Sequence, residues 1–67
     1  MRVLLRDLQT GLFYKAHEVW VESHMEATDF KDPEAVPEQA KLTGKSDLEI
    51  FVVDEKGRPV WGQRIMK

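Results

Sequence analysis

The chain has 67 residues, a formal net charge of −2 and no cysteine. This length predicts one compact domain, residues 1–67, with a small core, and the absence of thiols excludes disulfides and thiolate metal sites. No apolar stretch approaches the roughly 20 residues of a membrane-spanning helix, so we expect a cytoplasmic bacterial protein without a membrane partner.

The middle of the chain is acidic, and both flanks are net basic. Residues 17–38 contain a single lysine or arginine, Lys31. A charge run of this kind usually forms a solvated face, and domains that bind nucleic acid strongly are usually basic. We therefore expect an acidic surface edge and no strong affinity for nucleic acid. The acidic residues of this segment are Glu18, Glu22, Glu26, Asp29, Asp32, Glu34 and Glu38.

Two strands joined by a turn are predicted at the start of the chain. Residues 3–8 are rich in aliphatic side chains and too few for a core helix, which is typical of a strand. Gly11 can adopt the positive φ that a tight turn needs, and residues 12–15 return as the second strand of a hairpin. Residues 19–21 either extend that strand or form a short separate one.

A capping box follows the first strands. Ser23 and Glu26 have its spacing, in which the serine hydroxyl and the glutamate side chain each accept an amide hydrogen bond at the start of a helix. The motif predicts a short helical turn over residues 24–30. Trp20 is interpreted as a core residue that packs against this turn, with Phe30 among its neighbours.

The main helix is predicted over residues 33–43. Asp32 followed by Pro33 is typical of a helix start, because an acid caps the first amides and proline fits the first helical position. Gly44 is a suitable residue for the left-handed conformation that ends a helix. Pro37 should cause a local irregularity near the first turn.

Two strands are predicted after the helix. Residues 47–53 form the clearest strand, because apolar side chains occur on both of its alternating faces. Residues 54–57 then form a tight turn with Gly57 left-handed, and residues 60–66 form the last strand. The two faces of the first of these strands are Leu48, Ile50 and Val52 on one side, and Glu49, Phe51 and Val53 on the other.

These elements predict an α+β fold of order β-β-α-β-β, an antiparallel sheet of about four strands with one main helix packed on one face. If the even-numbered face of the strand at 47–53 meets the helix, the odd-numbered face of the last hairpin is uncovered. An exposed apolar patch marks a contact surface. The predicted interaction surface consists of Phe51, Val53, Trp61 and Ile65.

The chemical motifs of the chain are incomplete. His17 and His24 lack the i, i+4 spacing that places two metal ligands on one helix face. Thr43-Gly44-Lys45-Ser46 resembles the end of a phosphate-binding loop, but it follows a helix and lacks the upstream glycine of that motif. No activated nucleophile is recognisable. We therefore expect no catalytic residue, no metal and no cofactor, and a protein that is not an enzyme.

Three functional hypotheses follow. The leading one is a non-enzymatic interaction module whose exposed sheet face meets a protein partner or a second copy as a homodimer. The alternative is weak binding of single-stranded nucleic acid, with aromatic side chains stacking on bases and arginines contacting phosphates. A third is metal binding through the two histidines. The residues of the nucleic-acid alternative are Tyr14, Phe51 and Trp61 with Arg2, Arg6 and Arg64.

The first 53 residues resemble a family of small bacterial proteins of similar length and uncharacterised function. The stretch Leu4-Leu5-Arg6-Asp7-Leu8-Gln9-Thr10-Gly11-Leu12-Phe13-Tyr14 is similar to the opening of those proteins. Trp20, Phe30 and the aliphatic strand around Leu48-Glu49-Ile50 hold matching places, as do Ala35 and Ala40 in the helix. These positions are chiefly structural, so the resemblance implies a fold and transfers no binding or catalytic residue.

Overall fold

The structure is a computed structural model that describes residues 1–65. In this range the chain forms one antiparallel sheet in the order β3-β2-β1-β4-β5, with one helix. The α+β class and the single helix on an antiparallel sheet are confirmed, but the sheet has five strands because residues 19–21 form a strand of their own. The elements are β1 Arg2–Asp7, β2 Phe13–Ala16, β3 Val19–Val21, α1 Ala35–Thr43, β4 Leu48–Val53 and β5 Pro59–Ile65.

The first strand lies at the centre of the sheet. β1 pairs with β2 on one side and with β4 on the other. A central strand is buried on both faces, and Leu4 and Leu5, which point to opposite faces, are both fully buried. The run of aliphatic residues that predicts this strand also explains its central position.

The helix α1 begins two residues later than predicted. The Oδ1 atom of Asp32 accepts a hydrogen bond from the amide of Glu34 at 2.9 Å, and Glu34 is the N-cap residue. The predicted end is confirmed: Gly44 has φ 73°, the left-handed conformation that favours glycine. Val36 and Ala40 are the buried residues of the helix, and they contact the β1 and β4 side of the sheet.

The core on the helix side contains most of the buried aliphatic residues. Trp20 packs at its margin and contacts Tyr14 edge-on, with ring centroids 5.6 Å apart. The predicted even-numbered face of β4 does meet the helix. The members of this core are Val3, Leu5, Tyr14, Val36, Ala40, Leu48, Ile50 and Val52, with Trp20, Phe30 and Ile65 partly buried against it.

Residues 24–30 contain no helix, so the helical turn predicted from the capping box is wrong. The Oγ atom of Ser23 accepts from the amide of Met25 at 3.2 Å, and the amide of Glu26 bonds to the Ser23 carbonyl at 3.1 Å instead. The segment forms turns and bends up to residue 27. A local capping motif is weak beside the backbone bonds that the following residues make with the sheet.

Residues 27–30 are held between β1 and β2. The register of these strands pairs Arg6 with Phe13. Beyond that pair, backbone groups of β1 and β2 form hydrogen bonds with residues 27–30 instead of with each other. The amide of Phe30 donates to the Val3 carbonyl at 2.8 Å, and the amide of Thr28 donates to the Tyr14 carbonyl at 3.0 Å. The segment therefore bonds to a strand on each side, which a helix at this position could not do.

The turn after β4 has the predicted form. Gly57 has φ 81°, and its amide donates to the Asp54 carbonyl at 2.9 Å. The last strand extends over Pro59–Ile65, and Met66, its predicted end, lies outside the described residues. A helix long and apolar enough to cross a membrane does not occur between residues 1 and 65.

Candidate interaction surface

The four residues of the predicted interaction surface do not share a face of the sheet. The register of the last hairpin pairs even-numbered residues of β4 with odd-numbered residues of β5, so Val52 lies opposite Trp61 and Leu48 lies opposite Ile65. Trp61 and Ile65 are therefore on the helix side. The prediction assumed that odd-numbered residues of both strands lie on the same face. Hairpin register depends on turn geometry, and this hairpin has a further irregularity between Val52 and Val53.

Phe51 and Val53 lie on the opposite face, which is not bare. Val53 is 1% exposed within a second core, and Phe51 is half-buried against the same core. The rings of Phe51 and Phe13 are 5.7 Å apart, and Ala27 from the segment after β3 is buried beside them. The prediction that both residues form an uncovered patch is wrong, because that segment provides a second cover.

Arg6 closes this second core from above. Its guanidinium lies 5.1 Å from the centroid of Phe51 and 5.9 Å from that of Phe13, and it is 3.8 Å from the Glu49 carboxylate. An arginine over an aromatic face gains a cation–π attraction, and the Arg6 side chain is 36% exposed. This face is therefore capped by the chain itself and offers little apolar surface to a partner.

An accessible apolar surface lies on β5. Trp61 is 46% exposed, and the adjacent Val60, which is the extra residue at the irregularity of this hairpin, is 51% exposed. Within residues 1–65 the neighbour of β5 in the sheet is β4, so its other side is an edge. An edge strand presents unpaired amide and carbonyl groups, which form a template for another strand. Six of its seven residues are exposed, which makes β5 the strongest candidate surface among the described residues.

A groove lies beside this edge on the helix side. Its volume is about 330 Å³, and it is open between the helix and the last strand. Pro37 provides the helix wall, and Ile50 and Ile65 provide apolar surface on the sheet. Gln63 and Arg64 complete the lining. The groove is a few residues along β5 from Trp61, so a projecting aromatic side chain and a concave surface occur on the same edge.

The two arginines that flank Trp61 on β5 and its turn are paired within the chain. The Nε atom of Arg58 lies 2.8 Å from Oδ2 of Asp54, and an Nη atom of Arg64 lies 2.7 Å from Oδ1 of Asp47. The backbone amide of Arg58, above all, lowers the pKa of the Asp54 carboxyl. Both arginine charges are compensated locally, so the part of the edge that the structure describes is close to neutral.

A second concave region lies at the other end of the helix. It has a volume of about 410 Å³ and is lined in part by Trp20, Tyr14 and Lys45. The Nζ atom of Lys45 lies 5.2 Å from the Trp20 ring centroid and 3.0 Å from the Asp7 carboxylate. The Gln39 amide donates to the Tyr14 hydroxyl at 3.0 Å. These polar groups pair with one another, so the residues of this cleft mainly stabilise the fold.

Asp7 is the buried acid of the described residues, with 2% exposure. Burial alone would raise the pKa of its carboxyl, but the hydrogen bonds from Lys45 and from the Gln9 amide outweigh burial and lower the pKa. The Thr43-Gly44-Lys45-Ser46 stretch therefore supplies a helix end and a partner for Asp7. Its lysine is engaged by a carboxylate within the chain.

The histidines are far from a common site. His17 is exposed and lies 3.8 Å from the adjacent Glu18 carboxylate, whereas His24 rests against Gly57 in the turn after β4. Between residues 1 and 65, no three histidine or acidic side chains come together as a metal-binding group.

The aromatic residues of the nucleic-acid alternative are also dispersed. Tyr14 is buried in the helix-side core, Phe51 is on the opposite face, and Trp61 is on the β5 edge. Stacking of successive bases needs rings that lie side by side on an open surface. The structure does not bring these three side chains together, and Arg2 bonds to the carbonyls of the segment around His24.

No family model matches the chain, and neither the curated proteins nor the solved structures contain a match to it. The similarity of the first 53 residues to small bacterial proteins remains a prediction. The sequence placed Trp61 in the predicted interaction surface but did not predict the groove. Pro59 at the start of the last strand predicts an edge or entry position of a sheet, and β5 does lie at the edge.

Proposed function

We propose that this protein is a non-enzymatic interaction module whose docking element is the free edge of β5. The observation that carries the proposal is a seven-residue edge strand with Trp61 half-exposed near its centre. Recognition by strand addition uses backbone hydrogen bonds for affinity and side-chain pockets for selectivity. The groove lined by Pro37 and Ile65 supplies such a pocket beside the strand.

This proposal moves the docking surface from the sheet face to the sheet edge. Phe51 and Val53 are part of the second core and have no role in it. Trp61 has the properties of a binding hot spot, because tryptophan in or beside a partly enclosed pocket contributes strongly when a partner removes its remaining contact with water. Ile65 contributes apolar surface to the groove.

Site-specific photocrosslinking in the cell that naturally makes the protein tests the proposal. A benzoylphenylalanine at Gln63, which is exposed on the edge, should form covalent adducts with protein. The same group at Leu42, which is 73% exposed on the helix, is the matched control and should give far fewer adducts. Equal adducts at both positions, or none at Gln63, would contradict an edge-based interaction module.

A further inference from the structure

We infer that the strand which β5 receives is β5 of a second copy of this chain, paired antiparallel about a two-fold axis perpendicular to the sheet. The inference rests on the proposed function and names its partner. It would join the five strands of each copy into one continuous sheet, with both helices on the same side. Dimers with this symmetry are the commonest closed assemblies of soluble proteins.

The first support is that the edge is complementary to itself. A two-fold axis perpendicular to the sheet keeps each face on its own side, so helix-side residues of one copy lie opposite helix-side residues of the other. If Gly62 faces Gly62 of the second copy, Trp61 lies opposite Gln63 of that copy. Directly opposite side chains on paired strands have Cβ atoms about 5 Å apart. Gln63 lines the groove, so Trp61 reaches its mouth.

The groove is large enough for the indole. A cavity of about 150 Å³ lined by apolar side chains accommodates a benzene ring, and this groove has about 330 Å³ with apolar surface from Pro37, Ile50 and Ile65. The two-fold axis makes the contact reciprocal, since each copy inserts its tryptophan beside the helix of the other. An isologous interface uses the same surface on both copies, so it needs a projecting side chain and a matching groove on one surface. β5 and the groove beside it provide both.

The second support is the charge distribution of the edge. Two copies of a strongly charged edge would repel each other, but Arg58 and Arg64 each have a carboxylate within 3 Å in their own chain. With Gly62 at the axis, Arg64 lies opposite Val60 rather than opposite an arginine, and like charges directly opposite are what destabilises a strand pair. The same compensation leaves an acidic peptide without a free arginine at this edge, which favours a second copy as the occupant.

The size of the contact sets the affinity that we expect. A strand of seven residues extends about 24 Å, and a standard-size interface removes about 800 Å² from each partner. That area is a little over one sixth of the 4567 Å² surface of this chain. Strand pairing with one inserted tryptophan is smaller than this standard, so the dissociation constant should lie in the micromolar range.

Sedimentation equilibrium of the purified full chain at about 5 to 500 μM tests the inference. The weight-average mass should rise with concentration from 7.8 kDa towards twice that value. Trp61→Glu should raise the dissociation constant about 30-fold or more, the effect of removing a hot spot. Leu42→Glu, an equally drastic change at an exposed site on the helix, should leave it unchanged.

A second variant covers the case in which Trp61→Glu fails to fold by circular dichroism. Gln63→Glu alters an exposed side chain and places a carboxylate opposite the entering indole, so it too should weaken the dimer. A monomer at all concentrations, or a dimer that neither β5 variant weakens, overturns the inference. A monomer that nevertheless crosslinks from Gln63 to a different protein overturns the second copy as partner and leaves the proposed function standing.

Discussion

The imidazole of His24 lies against the Cα of Gly57, so that a Cβ at position 57 would overlap it. The contact joins the segment after β3 to the turn between β4 and β5, which are far apart in the chain. Two features of this turn explain why position 57 is a glycine. The backbone is left-handed there, with φ 81°, and the space that a side chain would need is occupied.

Replacing Gly57 should therefore destabilise the protein more than replacing a glycine that has the same backbone conformation but no side chain packed against it. Gly57→Ala combines left-handed strain of about 1 kcal/mol with displacement of the imidazole. Gly11→Ala is the matched control, since Gly11 has φ 78° and open space around it. Urea unfolding should show a larger loss of unfolding free energy for Gly57→Ala than for Gly11→Ala. In a His24→Ala background the two losses should become equal. Equal losses in the native background would contradict the contact.

The ion pair between buried Asp7 and half-exposed Lys45 should make stability depend on pH. The pKa of the Asp7 carboxyl is lowered in the folded chain, so its stabilising contribution is present above the unfolded value of 3.8 and is lost as pH falls through the lower folded value. Asp7→Asn should cost about 1–3 kcal/mol at pH 7, because it weakens a buried charge-assisted bond.

Urea unfolding of Asp7→Asn and the native chain at several pH values measures this difference. The two free energies of unfolding should converge as the solution is acidified below pH 3.8. Glu55→Gln changes an exposed carboxyl of the β4–β5 turn and should stay within about 0.5 kcal/mol of the native chain. A difference that persists unchanged at low pH would show that the charge of Asp7 is not the cause.

Asp29 should be more important than its position in a loop suggests. Its Oδ1 atom accepts from the amides of Val3 and Lys31, each at 2.9 Å. Burial alone would raise the pKa of this carboxyl, but these two bonds outweigh burial and lower it. Asp29→Ala leaves the Val3 amide of the central strand without its partner and should cost about 1–2 kcal/mol.

Amide hydrogen exchange at Val3 measures this effect directly. Exchange should accelerate in Asp29→Ala, because the amide loses its only side-chain acceptor in the described chain. Asp32→Ala is the control: Asp32 also accepts one backbone amide, but at the exposed start of the helix, and the Val3 amide should then exchange at the native rate. Unchanged exchange in both variants would mean that other bonds hold residues 27–30 in place.

Phe51 should behave as a core residue rather than a binding residue. Phe51→Leu keeps an apolar side chain under Arg6 but loses the aromatic contact with Phe13 and the cation–π contact, which together contribute about 1–2 kcal/mol. Urea unfolding should show this loss. Sedimentation under conditions where the variant is folded should show self-association equal to that of the native chain, and a weakened dimer would return Phe51 to the interaction surface.

The elements that could be predicted are those decided by neighbouring residues. Gly44 ends the helix because a left-handed residue is needed one position after the last turn, and the turn at Gly57 follows the same logic. The capping box at Ser23 failed because a local motif competes with strands that are distant in sequence. Nothing in residues 23–26 shows that β1 and β2 diverge and leave backbone groups for residues 27–30 to bind.

The sequence by itself determined the class of the fold, the main helix and four of the five strands, because hydrophobic periodicity and turn residues act over a few positions. Only the tertiary structure decided which face each side chain of the last hairpin occupies. A change of one residue in register moves every side chain of a strand to the other face. The geometry of this hairpin therefore places Phe51 and Trp61 on opposite faces of the sheet. The order of the strands, fixed by contacts between distant residues, then made β5 an edge.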